Sequence, residues 1–271
     1  MLGRDVTAAA GAAGHDVVAL GRAELDITDR DATIAAIGAA VPDCVINCAA
    51  FTDVDDAEEQ TGLAWAVNAD GADYVATAAV AAGAWVVHVS TDYVFDGEKR
   101  SPYIESDPVS PRSEYGRSKL AGEEAVSEAA PRGHTVVRSS WLFGAHGRSF
   151  PGTILRLAGE REQLTVVDDQ IGCPTFTGHL AVALVEIAER RPLGIVHVAA
   201  AGQCSWYEFA QEIVTRSGHA CSVAPGSTAE LGRPAPRPAY SVLGSERRGE
   251  LPRLADWRDG LGAFMDLVVV S

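Results

Sequence analysis

The sequence predicts an α/β fold, a doubly wound parallel sheet over residues 1–145, with a smaller C-terminal lobe formed mainly by residues 146–271. Two observations carry this. Short apolar runs at Asp16–Leu20, Asp43–Cys48, Trp85–Val89 and Thr135–Arg138 alternate with alanine-rich helical stretches, the order that right-handed crossovers turn into a parallel sheet. After about residue 145 that alternation weakens, yet no repeat and no flexible linker marks a separate unit.

At 271 residues, 47% hydrophobic and 22% charged, the chain has the composition of an ordinary globular protein. Lys plus Arg number 22 against 37 Asp plus Glu, a formal charge of -15 that opposes binding to nucleic acid. No run of 18 or more apolar residues and no signal-peptide pattern is present, so no membrane partner is expected and we read the protein as cytoplasmic. The five cysteines, at 44, 48, 173, 204 and 221, lack C-x-x-C spacing; Cys44 and Cys48 fall in a strand pattern and read as buried thiols. No metal site is expected.

In chain order, the first fourteen residues read as part of a helix stopped by Gly14, and Asp16–Leu20 as a strand running into Gly21-Arg22. Asp26-Ile27-Thr28-Asp29 opens a helix that Thr28 or Asp29 can cap, leaving Asp26 free. The strand Asp43–Cys48 ends in Ala49-Ala50-Phe51-Thr52, small residues that let a backbone approach a ligand or simply pack tightly. Residues 57–82 are helical, interrupted around Gly62 and Gly71, and carry Asn68. The apolar run Trp85–Val89 reads as a buried strand, so Thr91 and Asp92 sit at a strand end, where open α/β sheets bind ligands.

Tyr115 and Lys119 lie four residues apart on the helical stretch Glu114–Ala129 and share a face. A neighbouring ammonium is expected to lower the phenol pKa, fitting Tyr115 to exchange a proton with a carbonyl oxygen that the Thr91 hydroxyl orients. Trp141 follows the strand Thr135–Arg138, as a rim-packing residue or a ligand contact. Helices are expected at about 150–161, 178–190 and 205–217, a strand at Ile195–Val198 and a closing helix at Trp257–Val270. Asp168-Asp169-Gln170 is a polar turn whose paired carboxylates are read as structural, and Arg233–Pro238 (RPAPRP) is a stiff, basic, extended stretch.

The combination of a strand ending in Ser-Thr and a downstream Tyr-x-x-x-Lys resembles the extended short-chain dehydrogenase/reductase superfamily. Ser90–Gly97 (STDYVFDG), Tyr115–Glu123 (YGRSKLAGE), Asn47–Asp53, Val167–Thr175 (VDDQIGCPT) and Arg233–Leu243 (RPAPRPAYSVL) are similar to the dTDP-4-dehydrorhamnose reductases. The resemblance covers nearly the whole chain. It implies a Rossmann-like fold with a C-terminal substrate-binding lobe and reduction of the C4 keto group of dTDP-4-dehydro-L-rhamnose by NADPH.

That resemblance also implies roles. Thr91, Tyr115 and Lys119 are expected to be catalytic, with Lys119 also on the nicotinamide ribose; Asp92 and Trp141 are expected against the sugar. Gly3, Asp26, Ile27 and the strand end Ala49, Ala50, Phe51, Thr52 are expected to bind the cofactor, and the 233–238 loop to lie by the nucleotide. In dinucleotide-binding folds a carboxylate after the second strand selects NAD and an Arg admits the NADP phosphate, so Arg22 points to NADPH with NADH allowed. Only Gly3 survives of the family's glycine turn, and the expectation is a chain lacking about ten N-terminal residues, including the first strand. A nucleotide sugar is the expected partner, and a homodimer is allowed. The rival readings are a nucleotide-sugar epimerase or dehydratase that retains NAD, and a non-catalytic regulatory subunit like that of methionine adenosyltransferase.

Overall fold

The computed structural model describes residues 1–247 and 249–269. Its main sheet is parallel, with β1 (Cys44–Asn47), β2 (Trp85–Thr91), β3 (His134–Ser139) and β8 (Gly194–His197) side by side in that order. The register sets Asn47 opposite His88 and Thr91 opposite Ser139, so these strands end along one edge.

Helices cover both faces, as expected for a sheet whose strands are continuous apolar runs. On one face α1 (Leu2–Ala12) and α8 (Thr177–Arg190) bury Leu2, Val6, Leu180 and Leu184 against Val87, Val137 and Val196. On the other, α5 (Gly71–Ala81) and α6 (Glu114–Ala129) bury Ala72, Ala76 and Val126 against Val86 and Val136. Outside α5 lies α2 (Arg30–Ala40), with Ile37 on Val75 and Ala78. Between β1 and α5 the chain makes α3 (Asp56–Glu59), α4 (Thr61–Trp65) and a π-helical turn at Ala66–Asp70. The break expected near Gly62 falls at Gln60, whose backbone leaves the helical region, and Gly62 lies inside α4.

The expected strand Asp16–Leu20 is absent: no ladder forms there, and Val18 and Leu20 are exposed. β1 pairs only with β2 among the described residues, and since the 16–20 run forms no ladder with the open edge of β1 it has no hydrogen bonds to make it a strand.

A second core sits beyond β4 (Leu142–Phe143), where α7 (Phe150–Glu160), β5 (Gln163–Val167), β6 (Ile171–Gly172) and β7 (Thr175–Phe176) precede α8. After β8 come β9 (Cys204–Ser205), α9 (Trp206–Ser217), β10 (Ser222–Gly226), α10 (Thr228–Leu231) and α11 (Trp257–Val269). Phe143, Phe176, Phe209, Trp257, Leu261 and Phe264 form its centre. Val270, the expected end of the closing helix, lies outside the described residues. Among the described residues no helix is long and apolar enough to cross a membrane.

Candidate active site

The site assembles where β2 ends against the first turns of α6. Thr91 leaves the strand in extended conformation and its hydroxyl accepts from Tyr93 N at 3.2 Å, starting the 3-10 turn Asp92–Val94. The same hydroxyl donates to Asp92 Oδ1 at 3.0 Å and lies close enough to the phenol of Tyr115 to pull its pKa down. Ser113 caps α6 by accepting from Gly116 N at 3.1 Å. Two glycines seat that helix: a Cβ on Gly116 would lie 2.4 Å from Tyr93 O, and one on Gly122 would lie 2.1 Å from Asn68 O. The close approach sets the Tyr115 ring edge-on to Tyr93, centroids 5.5 Å apart. Sequence reasoning passed over both glycines, although they stand inside the quoted Tyr115–Glu123 motif.

Lys119 is 2% exposed and its Nζ donates to Val89 O at 2.7 Å, with His88 Nε2 at 3.3 Å. Burial lowers its pKa to about 8 against the opposing charge of Glu123. His88 is held well below its usual pKa by burial and by Lys119, so it is neutral. The expectation that Lys119 lowers the Tyr115 pKa is overturned: Tyr115 is pushed up to about 12, by burial first and by the Asp92 charge, with the Thr91 hydroxyl pulling down. The ammonium spends its bonds on the strand carbonyl, and desolvation of the phenol dominates. Asp92 is 1% exposed, one of its oxygens has no partner, and burial raises its pKa to about 7.

Beneath this edge lies an ion pair that the sequence did not announce. Glu123 and Arg138, both buried, meet through Oε2–Nη2 at 2.6 Å and Oε1–Nε at 2.9 Å, and Ser90 donates to Glu123 at 2.5 Å.

On the side expected to hold a cofactor, Ala49 and Thr52 are exposed and Ala50 and Phe51 half-buried. Asn68 fixes their backbone, accepting from Phe51 N at 2.8 Å and donating to Phe51 O and to Ser118 Oγ. Asn68 thus supports the Phe51 backbone and is itself satisfied by it. Asp29 caps α2, as one of the two expected candidates, but Asp26 is not left free: it accepts from Thr28 N and Thr28 Oγ1, which lower its pKa. Ile27 packs over Gly71, where a Cβ would lie 2.7 Å from its Cδ1. Arg22 is an exposed side chain 3.9 Å from Asp26, on a turn and not at a strand end.

Trp141 takes a left-handed backbone conformation (φ 48°), rare for a bulky residue, and stacks on Trp206 at 3.6 Å. A Cβ on Gly172 would enter its ring at 2.3 Å, so the indole needs a glycine there. Rim packing thus occupies one face of the ring expected against a sugar. The Asp168–Gln170 turn is structural: Asp168 accepts from Ser205 and Asp169 from Thr228, and the described residues hold no cluster able to bind a metal. Burial pushes the Cys44 and Cys48 thiols up to about 11 and about 12.

Residues 1–270 match the family described as the RmlD substrate binding domain. The chain belongs to this family. It is 42% identical over 273 residues, 97% of this chain and 89% of the other, to a dTDP-4-dehydrorhamnose reductase of Mycobacterium tuberculosis strain H37Rv. A probable dTDP-4,6-dihydroxy-2-methyloxan-3-one 4-ketoreductase of Streptomyces antibioticus is 43% identical, across 100% of this chain and 94% of its own. Among solved structures, dTDP-4-dehydrorhamnose reductase of Bacillus anthracis in complex with NADP superposes with a TM-score of 0.95 at 37% identity, covering 98% and 95% of the two chains. The Rossmann-like reading of the fold is that of these relatives, and the site residues named above belong to an RmlD-family scaffold.

Proposed function

We propose that this chain is an NADPH-dependent reductase that converts the C4 keto group of dTDP-4-dehydro-L-rhamnose to the alcohol of dTDP-L-rhamnose. The observation that carries the reading is the meeting of the Thr91 hydroxyl and the Tyr115 phenol at the end of β2, with Lys119 buried one helical turn further on. The relatives' names supply the substrate and the cofactor.

The residues at the sheet edge fit a dinucleotide. Met1 gives α1 no side-chain cap, leaving its first N–H groups for an anion, and a Cβ at exposed Gly3 would meet only Cys48 at an ordinary 3.7 Å. Packing therefore does not demand a glycine there, whereas a ligand passing close to the backbone would. Ala49 to Thr52 offer small, open backbone clamped by Asn68, and Lys119 would reach the ribose. When bound, NADPH supplies the hydride that the carbonyl carbon takes.

The chain manages the oxygen. A keto oxygen that enters between Thr91 and Tyr115 accepts from the Tyr115 hydroxyl, and from Thr91 once that hydroxyl turns its single proton from Asp92 Oδ1 toward the ligand. With a pKa near 12, Tyr115 carries its proton at neutral pH and is a donor; as charge builds on the oxygen, that proton transfers and leaves a phenolate. Lys119, an ammonium at neutral pH on the same helical face, opposes the phenolate charge. Without substrate, Asp92 Oδ1 accepts the Thr91 proton, so the hydroxyl is anchored beside Tyr115 and becomes the second donor only on releasing Asp92.

The test is consumption of reduced nicotinamide with dTDP-4-dehydro-L-rhamnose, and identification of the product by NMR. Stoichiometric oxidation of NADPH to give dTDP-L-rhamnose is expected. Purification with tightly held NAD and interconversion without net oxidation would replace this reading with the epimerase or dehydratase one.

A further inference from the structure

The acidic turn that follows the Ala49–Thr52 strand end carries Asp55, to which the reaction above gives no task. Its carboxylate is occupied from the far end of the chain. Oδ1 accepts from Ala235 N at 3.2 Å and Arg237 Nη1 at 3.0 Å; Oδ2 accepts from Arg233 Nη1 at 3.0 Å and Arg237 Nη2 at 2.8 Å. The guanidinium hydrogen bonds of Arg237 lead in lowering the Asp55 pKa to about 2, so the clamp stays ionised at any working pH. Both Asp55 and Arg237 are largely buried, with side chains 18% and 16% exposed.

The RPAPRP segment makes this clamp decisive. Alternate prolines leave it few backbone donors, and Asp55 takes the one at Ala235. On its other side the segment presses on Gly97, where φ is +79° and a Cβ would fall 2.4 Å from Pro238 Cα; Tyr240 N then donates to Gly97 O at 3.1 Å. A stiff strut fixed at two places moves as a unit when either is released. Between strut and α6 lies a cavity of about 500 Å³, whose charged wall is Arg112, Arg117 and Arg237 together with the carboxylates Asp96 and Glu98. Three guanidiniums converge there in a chain of net charge -15. Arg112 and Arg117 are paired with Glu98 and Glu114, and Arg237 with Asp55.

We propose that Asp55 is a positioning residue for the nucleoside diphosphate end of the substrate: it ties the cofactor-side loop to the 233–238 strut and sets Arg237 as a wall of this cavity. The proposal rests on the nucleotide-sugar reading above. Tyr115 packs edge-on against Tyr93 and does not line this cavity, so the clamp governs binding and leaves the proton-donating ring in place.

The experiment is Asp55→Asn, which keeps size and removes charge, measured with dTDP as probe by calorimetry, with the substrate by steady-state kinetics, and by amide exchange across 232–238. Loss of one partner of a clustered charge pair predicts weakening of dTDP binding and a rise in KM of about tenfold or more. In the same variant kcat stays within about twofold, as expected when an interaction common to ground and transition states is removed. NADPH affinity is unchanged and the Ala235 amide exchanges faster. Asp55→Glu, which restores the charge, recovers part of the dTDP affinity. Unchanged dTDP affinity with unchanged exchange at Ala235 would overturn the proposal, as would a loss of kcat and NADPH affinity equal to the loss in dTDP binding. If the native chain binds dTDP but reduces no dTDP sugar, the reductase reading fails while the dTDP ratio between native and variant still decides the role of Asp55.

Discussion

Replacing Glu123 by Gln removes one charge from a pair that is almost wholly inside the protein and leaves Arg138 there without its carboxylate. Arg138 would keep a neutral amide oxygen, the face of Phe95, 5.1 Å from its guanidinium carbon, and His197 at 3.5 Å. Breaking a buried pair on one side costs about 3–5 kcal/mol. At ~2–4 °C per kcal/mol for a chain approaching this size, the melting temperature should fall by on the order of 10 °C. Two controls separate the pair from simple packing. Glu123→Leu with Arg138→Met should be milder than the single change, because no uncompensated charge remains. Since Glu123 also holds the Lys119 pKa up, the alkaline limb of activity in Glu123→Gln should move to lower pH. Thermal unfolding followed by circular dichroism reads the first effect and a pH series of kcat/KM the second. A fall of less than about 2 °C, the size an exposed pair gives, would refute the reasoning.

Three other outcomes follow from the same edge of the sheet. Burial raises the Asp92 pKa from 3.8 to about 7, so across that interval the folded chain keeps a proton the unfolded chain releases, and stability falls as pH rises. Asp92→Asn should therefore flatten the dependence and be the more stable form above pH 7; parallel pH profiles of urea midpoints for the two proteins would contradict this. Lys119, lowered to about 8, loses its ammonium above that pH, and kcat/KM should fall there; Lys119→Arg, always charged, should carry the fall to higher pH. An alkaline limb that stays near pH 8 in Lys119→Arg would assign it to another group. A Cβ at Gly122 has no room beside Asn68 O, so Gly122→Ala should lower the melting temperature and free the Phe51 amide to exchange, and an unchanged exchange rate would separate α6 seating from the Asn68 clamp.

Much of this was legible because it is local. The strand ending at Thr91 is announced by its β-branched run, the helix of Tyr115 and Lys119 by its composition, and their common face by the spacing of four. What escaped depends on partners remote in the chain. Asp16–Leu20 has strand residues but makes no ladder, although β1 leaves an edge open. The direction of the Lys119 ammonium follows from the Val89 carbonyl, which no spacing rule points to, and so the expected depression of the Tyr115 pKa became a rise. Asp55 and Arg237 are separated by 182 positions, and neither residue type nor neighbourhood predicts their meeting. Trp141 follows a strand as expected, yet its stacking on Trp206 also needs the room that a glycine at 172 leaves for the ring.

The central claim is that the Tyr115 phenol gives its proton to a keto oxygen held also by Thr91, and Tyr115→Phe tests it most directly. The variant keeps the ring that sits edge-on to Tyr93 and removes only the hydroxyl. Turnover of dTDP-4-dehydro-L-rhamnose with NADPH should fall by at least about 10²-fold. NADPH affinity, measured by fluorescence titration on the same preparation, should stay within about twofold. Turnover within a few-fold of the native chain, with the cofactor bound, would contradict the account.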